Sequence, residues 1–461
     1  MFSRIGLSLA NRRPVLALSI STLMAALLAS ASGGASVAHG QAWLDNRGRT
    51  EGHGVRTGDL EIHPGIGAEA GYDTNNFLTA TNPESTAVLR ITPHIAISTL
   101  SQERRQGGDT GGAGGAQVAP TLRFRGAASA SYYHFFLNSA RDNISGDLSL
   151  NLVVNPEKPF SFTLNEQFIR TIRPFAAQVG TSSVSFGRNQ NIIGGMMTLS
   201  TPGGLFQGRL GYDFNYNFFD GSQFQGSNNM QHTVRAGSNW RFLPQTALLY
   251  DFALDYQTYP NAADSTALVS DSVRLQSRLG LNGAITNRFS VLAMAGYSAG
   301  FFEAGDDFEA FVAQLEGRFQ LNENSKIAFG YDRSVFGSYV GNYYRQDRFY
   351  LNASALFAGR VLVGADLSLA LLGFGVPLAQ NGTALGFNST DVNDPSRSDV
   401  RLIAGVYSEY RFTDYLAVNA TVRYTGDFTD YQYVTTDSSA TFIEPAGFKK
   451  FEVWLGVRVF Y

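Results

Sequence analysis

Apolar and polar residues alternate along most of this chain, from near Ile62 to its last residue. The clearest stretch is 206–218. Phe206, Gly208, Leu210, Tyr212, Phe214, Tyr216 and Phe218 share one face, and Gln207, Arg209, Gly211, Asp213, Asn215 and Asn217 share the other. A period of two specifies a strand with one apolar and one wet face. The run is long: it exceeds the ~9–11 residues that cross a bilayer at the usual tilt. Strands of soluble domains are shorter, usually about 5–6 residues.

The pattern recurs. Leu248, Tyr250, Phe252, Leu254 and Tyr256 alternate with Asp251, Asp255 and Gln257, and Phe311, Leu315 and Phe319 alternate with Gln314, Glu316, Arg318 and Gln320. The chain also ends on it. Phe451, Val453, Leu455, Val457, Val459 and Tyr461 form an unbroken apolar row with Glu452, Gly456 and Arg458 between them. Outer-membrane barrels commonly close with such a strand and a terminal aromatic residue.

The connections alternate as well. One set is short, at 155–159, 201–204, 243–246, 286–288, 322–325, 358–360 and 413–414. The other is longer, at 173–189, 220–229, 259–270, 300–307, 335–346, 373–398 and 426–447. Short periplasmic turns and long external loops are the asymmetry of an outer-membrane barrel. A propeller or sandwich does not sort its loops by parity. The predicted fold is all-β: a transmembrane antiparallel up-and-down β-barrel of about 18 strands, with 16 left open because the alternation blurs over 160–200. Strand starts are read near residues 62, 86, 121, 144, 160, 188, 205, 231, 247, 271, 289, 309, 326, 347, 361, 399, 415 and 448. The Gly-rich stretch 101–119 falls on the short-turn side. It reads as a disordered periplasmic loop, the alternative being one misplaced hairpin.

Composition narrows the class. Charged residues make up 16%, against ~25% for soluble domains. The 35 Phe, 21 Tyr and 49 Gly suit aromatic girdles and tight turns. No run of ~20 apolar residues follows the N-terminus, which excludes a helical membrane protein. The absence of cysteine excludes disulfides and Cys-based metal sites. A net charge of -3 leaves no basic footprint for nucleic acid. Residues 1–38 read as a signal peptide: Arg4, Arg12 and Arg13 precede an apolar core, and Val37 and Ala38 lie at a small-residue cleavage site. Cleavage after Ala38 or Gly40 both fit, and an uncleaved anchor is disfavoured by the short apolar run. Residues 39–60 then form a periplasmic N-terminal segment, and 61–461 the barrel.

The wet faces of such strands point inward, because the apolar faces meet lipid. At about eighteen strands the interior holds an aqueous channel rather than a side-chain core. The predicted lumen-facing residues are Arg209, Asp213, Arg235, Arg241, Asp251, Asp255, Arg274, Arg278, Glu316, Arg318, Arg401, Glu409, Arg411, Arg423 and Arg458. Two readings stand. The charges neutralise one another and stiffen the wall, or they line a transport path, with Tyr133, Tyr350 and Tyr407 offering ring faces to sugars. A barrel enzyme needs a nucleophile with a base, or a metal cluster. The six histidines, His39, His53, His63, His94, His134 and His232, form no HxxxH or HxH pair, and no GxSxG occurs. No enzyme, cofactor or metal is expected. In the loop 373–398 and beside it, Asp391, Asn393, Asp394 and Asp399 have the oxygen density of a calcium loop or of a solvated turn. The same loop has the length to fold inward as a constriction.

Three segments carry a resemblance: 66–77 (IGAEAGYDTNNF), 88–94 (VLRITPH) and 124–133 (FRGAASASYY). Over roughly residues 60–461 the chain resembles the β-barrel outer-membrane porin family found beside exopolysaccharide secretion genes. The resemblance implies a conduit for an exopolysaccharide or capsular polysaccharide, working with a periplasmic polysaccharide-export protein in the outer membrane of a Gram-negative bacterium. The alternative is a diffusion porin for small hydrophilic solutes. Outer-membrane lipid is an expected partner, as is the barrel assembly machinery, through the C-terminal strand.

Overall fold

The structure is a computed structural model that describes residues 52–99, 121–137, 142–172, 187–265, 267–437 and 440–461. The expected signal peptide and the Gly-rich stretch 101–119 lie outside these residues. Strands are numbered in chain order. A short β1 (Val55–Thr57) precedes β2 (Leu60–Asp73), β3 (Thr86–Thr99), β4 (Leu122–Phe135), β5 (Asn143–Val154), β6 (Phe160–Thr171), β7 (Arg188–Ser200), β8 (Phe206–Phe219) and β9 (Asn229–Leu243). Then come β10 (Thr246–Thr258), β11 (Ser272–Ala284), β12 (Phe289–Phe302), β13 (Phe308–Asn322), β14 (Ser325–Gly337), β15 (Tyr343–Phe357) and β16 (Val361–Phe374). The last six are β17 (Gly386–Asn388), β18 (Ser398–Thr413), β19 (Leu416–Thr429), β20 (Tyr431–Asp437), β21 (Ala440–Pro445) and β22 (Phe448–Phe460).

Among the described residues, eighteen long strands form one antiparallel sheet, β2 through β16 with β18, β19 and β22. Each pairs with the next, and β22 returns to pair with β2, Phe460 opposite Gly65 and Glu452 opposite Asp73. Closure leaves no long edge, so backbone polar groups are satisfied within the sheet, as a lipid environment demands. Eighteen strands spaced ~4.8 Å apart and tilted ~40° give a circumference of about 110 Å and a wall-to-wall diameter of about 36 Å.

Alternation sets the two faces. Ile66, Tyr72, Leu210, Leu279, Leu315, Leu367, Leu455 and Val457 are exposed on the outside, whereas Glu69, Arg90, Thr92 and Arg458 on the opposite face are buried. An apolar exterior this continuous is the surface of a lipid-embedded barrel. All eighteen starts lie within four residues of the sequence reading, the largest difference being Tyr343 for β15. The blur over 160–200 has a local cause. Glu166 and Asn191 sit on the outer face of β6 and β7, and the Asn191 amide donates to Glu166 Oε1 at 3.4 Å. Two polar residues in an apolar row break the pattern there.

The seam holds a strand that the sequence reading left inside the N-terminal segment. Tyr461 N donates to Pro64 O at 3.0 Å. Just beyond it β1 takes over as the partner of β2, Val55 opposite Ile62 and Thr57 opposite Leu60. Gly52, at φ +67°, abuts the Tyr461 backbone so closely that a Cβ would collide with it. The chain thus splices β1 end to end onto β22.

Apart from the segment between β3 and β4, the connections sort by length. At the end that holds Tyr461, Pro244 and Gln245 join β9 to β10, and Glu323 and Asn324 join β13 to β14. The other end carries the long segments 259–271, 375–397 and 430–447.

Candidate functional site

The inner faces of β8 to β11 bring seven charged residues together. Arg235 Nε lies 2.9 Å from Asp213, Arg209 lies 3.6 Å and Arg278 3.9 Å from Asp251, and Arg274 lies 3.8 Å from Asp255. The Thr233 hydroxyl donates to Asp255 at 2.6 Å. Strand register produces the set: Asp251 stands opposite Arg278, and Asp255 opposite Arg274. Of these ion pairs only Arg235–Asp213 is at hydrogen-bonding distance. The others keep donors and acceptors for water or solute, and all seven side chains are partly exposed. Arg241 lies on the same face of β9, with no ion-pair partner among the described residues.

The remaining predicted residues take other places on the inner wall. Arg318 pairs with Glu316 along one strand, and the Tyr350 hydroxyl bonds Glu316. Arg423 reaches Asp366 at 3.5 Å, and Arg401 pairs with Asp427. Arg411 and Arg458 both bond Glu409, at 2.9 and 2.7 Å. The side chains of Arg458 and Glu409 are 1% and 5% exposed. They are sealed among neighbours, unlike the β8–β11 group.

A second sealed cluster was not singled out from the sequence. Arg90 binds Glu69 at 2.6 Å with both side chains 1% exposed, and its guanidinium lies 4.2 Å from the Trp454 ring centroid. Asn419 donates to Glu69 at 3.3 Å, and Lys450 reaches Asp73 at 2.7 Å. The signal was present: Glu69 stands between Ala68 and Ala70, and Arg90 between Leu89 and Ile91.

The tyrosines offered as sugar-stacking faces have another use. Tyr350 and Tyr407 stand opposite Gly330 and Gly364, and a Cβ on either glycine would strike the facing ring. Trp454 covers Gly71 in the same way. These rings lie flat along the wall over residues that lack side chains. Tyr133 packs with Val88, Phe135, Ile172 and Trp454.

The outer mouth is strapped by its own loops. Strand β17, from the loop between β16 and β18, pairs with β20, which pairs with β21 in the loop between β19 and β22. Buried Arg397 pins this small sheet: it binds Asp399 at 2.6 Å, bonds the Tyr433 hydroxyl and lies 4.4 Å from the Phe374 ring centroid. The same loop reaches segment 259–271. Leu268 N donates to Leu378 O at 2.7 Å, Gln380 Nε2 donates to Ala262 O at 2.7 Å, and Ala267 bridges Ala379. A third contact sets the Tyr339 ring against Phe219, with Asn229 donating to the Tyr339 hydroxyl at 3.3 Å. In both of the last two cases the joined elements stand six strand positions apart round the wall, a chord of about 30 Å in a barrel of this size. The loops therefore lean inward over the opening. Burial pushes the Tyr259 hydroxyl well above the usual tyrosine range, with Tyr339 nearby adding to the shift.

The oxygen-rich residues of the longest loop serve its turns. Asp391 accepts from Asn393 N and Asp394 from Ser396 N, at 3.0 and 2.9 Å, and Asp399 is held by Arg397. Hydrogen bonds from the Ser396 side chain and backbone hold Asp394 below the usual carboxylate range. Among the described residues no group of three or more His, Cys, Asp or Glu forms a metal cluster. His232 lies on the outer face, its Nδ1 2.7 Å from the Tyr212 hydroxyl and its ring beside Phe214.

No protein-family model and no curated protein sequence matches the chain. Solved structures do match. The outer membrane protein opdK from Pseudomonas aeruginosa is 9% identical with a TM-score of 0.40, over 87% of this chain and 99% of that one. OccK2 (OpdF) of Pseudomonas aeruginosa, in complex with glucuronate, is 10% identical with a TM-score of 0.42, over 86% and 98%. The FrpB iron transporter from Neisseria meningitidis is 8% identical with a TM-score of 0.42, over 87% and 81%. The chain's own geometry decides its class: it is a closed eighteen-stranded antiparallel β-barrel of the outer-membrane type.

Proposed function

We propose that this barrel is a channel for small hydrophilic solutes. The observation that carries the reading is the pairing of a strapped mouth with a wet charged wall. The straps from 375–397 to 259–271, and from Tyr339 to Phe219, narrow an opening that the wall alone would leave about 36 Å wide. Beneath them, Arg209, Arg235, Arg274 and Arg278 face Asp213, Asp251 and Asp255, mostly at ion-pair rather than hydrogen-bonding distances. Mixed charge at such spacing bonds hydroxyls and carboxylates of a passing solute without holding it. Export of an exopolysaccharide beside a periplasmic partner rests on the sequence resemblance. A leaving polymer would have to part the straps, and the tyrosines that would stack on its sugars lie against the wall. Liposome swelling with sugars of rising size tests the reading. Rapid entry of monosaccharides with a cut-off at short oligomers is expected. Equal passage of long dextrans would favour the polymer conduit, and no swelling at all would defeat both.

A further inference from the structure

Among the described residues, the outer, lipid-side face carries an arginine pair with donors to spare. Phe329, Phe349 and Leu351 are exposed on the outer face of β14 and β15. Alternation puts Tyr331, Arg333, Arg345 and Asp347 on that same face, towards the ends that carry the long loops. Tyr331 packs against Phe349 with ring centroids 5.0 Å apart and the ring planes tilted by 42°, adding to the aromatic girdle. The charged residues sit directly above it, where headgroups begin.

Their geometry is incomplete by the standard of the rest of the molecule. Tyr331 donates to Asp347 at 2.6 Å. Arg333 and Arg345 stand 3.4 and 3.7 Å from the same carboxylate, at ion-pair rather than hydrogen-bonding separation. The Arg333 Nε is buried without a hydrogen-bond partner, and the Arg345 side chain is half exposed. Two guanidiniums share one carboxylate and Arg333 also bonds Tyr331, which leaves one positive charge and several planar donors for another acceptor. Arg170, on the outer face of β6, offers the contrast. It donates to Ile144 O at 2.9 Å and Asn189 at 2.9 Å, and binds Asp220 at 2.6 Å. That arginine is closed, whereas the β14–β15 pair is open.

We infer that Arg333 and Arg345 bind a phosphate on the headgroup of an outer-leaflet lipid. A phosphate accepts bidentate bonds from guanidiniums and offers several oxygens to two at once. The lipid source follows from the place, since the pair lies on the lipid side above the aromatic girdle and not on the inner wall. Asp347 then draws the two arginines together while neutralising only one of their charges.

The test uses the full chain purified in detergent. Retention of lipid A, the phosphorylated glycolipid of that leaflet, is followed by native mass spectrometry for the wild type, Arg333→Gln/Arg345→Gln and Arg333→Lys/Arg345→Lys. The expected result is retention by the wild type, loss of about tenfold in the Gln variant and partial retention in the Lys variant. Dephosphorylated lipid A should bind the wild type as weakly as lipid A binds the Gln variant. Heat-modifiable electrophoretic mobility reports folding, and Arg345→Gln alone serves if the double variant does not fold. Equal retention by the wild type and the folded Gln variant would overturn the assignment. So would equal binding of the dephosphorylated lipid. Full competition by inorganic phosphate would mark a free-phosphate site and overturn the lipid source.

Discussion

Phe219, at the outer end of β8, and Tyr339, in the loop after β14, meet edge to face with ring centroids 5.6 Å apart. Their strands stand six positions apart round the barrel, so the contact exists only because the loop leans in. Such a pair contributes about 0.5–1.5 kcal/mol beyond area burial. Tyr339→Ala removes it together with the bond from Asn229. The expected outcome is a larger or noisier single-channel current, with the mouth visiting open states up to about tenfold more often. An unchanged current would mean that this strap does not shape the path.

The second strap lends itself to a lock. Ala267 and Ala379 form an isolated antiparallel bridge, and facing Cα atoms at such bridges lie within the ~4.4–6.8 Å span of a disulfide. Ala267→Cys/Ala379→Cys should oxidise readily in a chain that has no other cysteine. Entry of monosaccharides in swelling assays should persist with the bond formed. Abolition of entry by oxidation, with recovery under reductant, would show that solutes need this strap to open.

The two faces predict opposite tolerance. Leu210 is 57% exposed on the lipid side, and Leu210→Arg should cost about 2–4 kcal/mol or block assembly. Arg235→Glu, with Arg274→Glu and Arg278→Glu, should assemble and shift ion selectivity toward cations, read as a reversal potential. Equal damage from both classes would sink the assignment of faces.

Buried charge at the seam predicts fragility. Arg90→Met removes the cation from a Glu69 carboxylate that is 1% exposed, and breaking a buried pair in this way costs about 3–5 kcal/mol. Gly71→Val pushes into the Trp454 ring, an overpacking loss of about 1–3 kcal/mol. Denaturant-induced unfolding in lipid vesicles measures both. A midpoint unchanged in either variant would show the seam to be loosely packed.

The β4–β5 loop predicts a pH response. Asp142 is held below the usual carboxylate range by His134 Nδ1 at 2.7 Å and by the Phe135 N–H at 2.9 Å. A lowered folded pKa means a contribution present above the unfolded value of ~3.9 and lost as pH falls through the lower folded value. The protection of the Phe135 amide, its exchange rate set against that of the unfolded chain at the same pH, should hold at pH 5 and above and fall only below about pH 4. Loss of that protection already near neutrality would contradict this.

The barrel was legible because period-two patterning and closure are local and additive. Each of eighteen strands announces itself, and even β15 differs by only four residues at its start. Glu166 and Asn191 show how two outward polar residues blur the alternation of a strand pair without hiding where its strands begin. Positions fixed by contacts distant in sequence were not legible. β1 exists because Gly52 meets Tyr461, and Arg397 reads as a loop cation until β20 brings Tyr433 to it. Tyr350 and Tyr407 were correctly placed on the inner face, but cross-strand glycines decide that they lie flat.

The central claim is a water-filled path narrowed at its outer mouth. Single-channel conductance in planar bilayers, with neutral polymers of graded size added from the loop side, measures it most directly. A stable ohmic current is predicted, lowered by small polymers that enter and indifferent to those nearing the unobstructed barrel width. No current, or a current lowered by polymers as wide as the bare wall admits, would contradict the account.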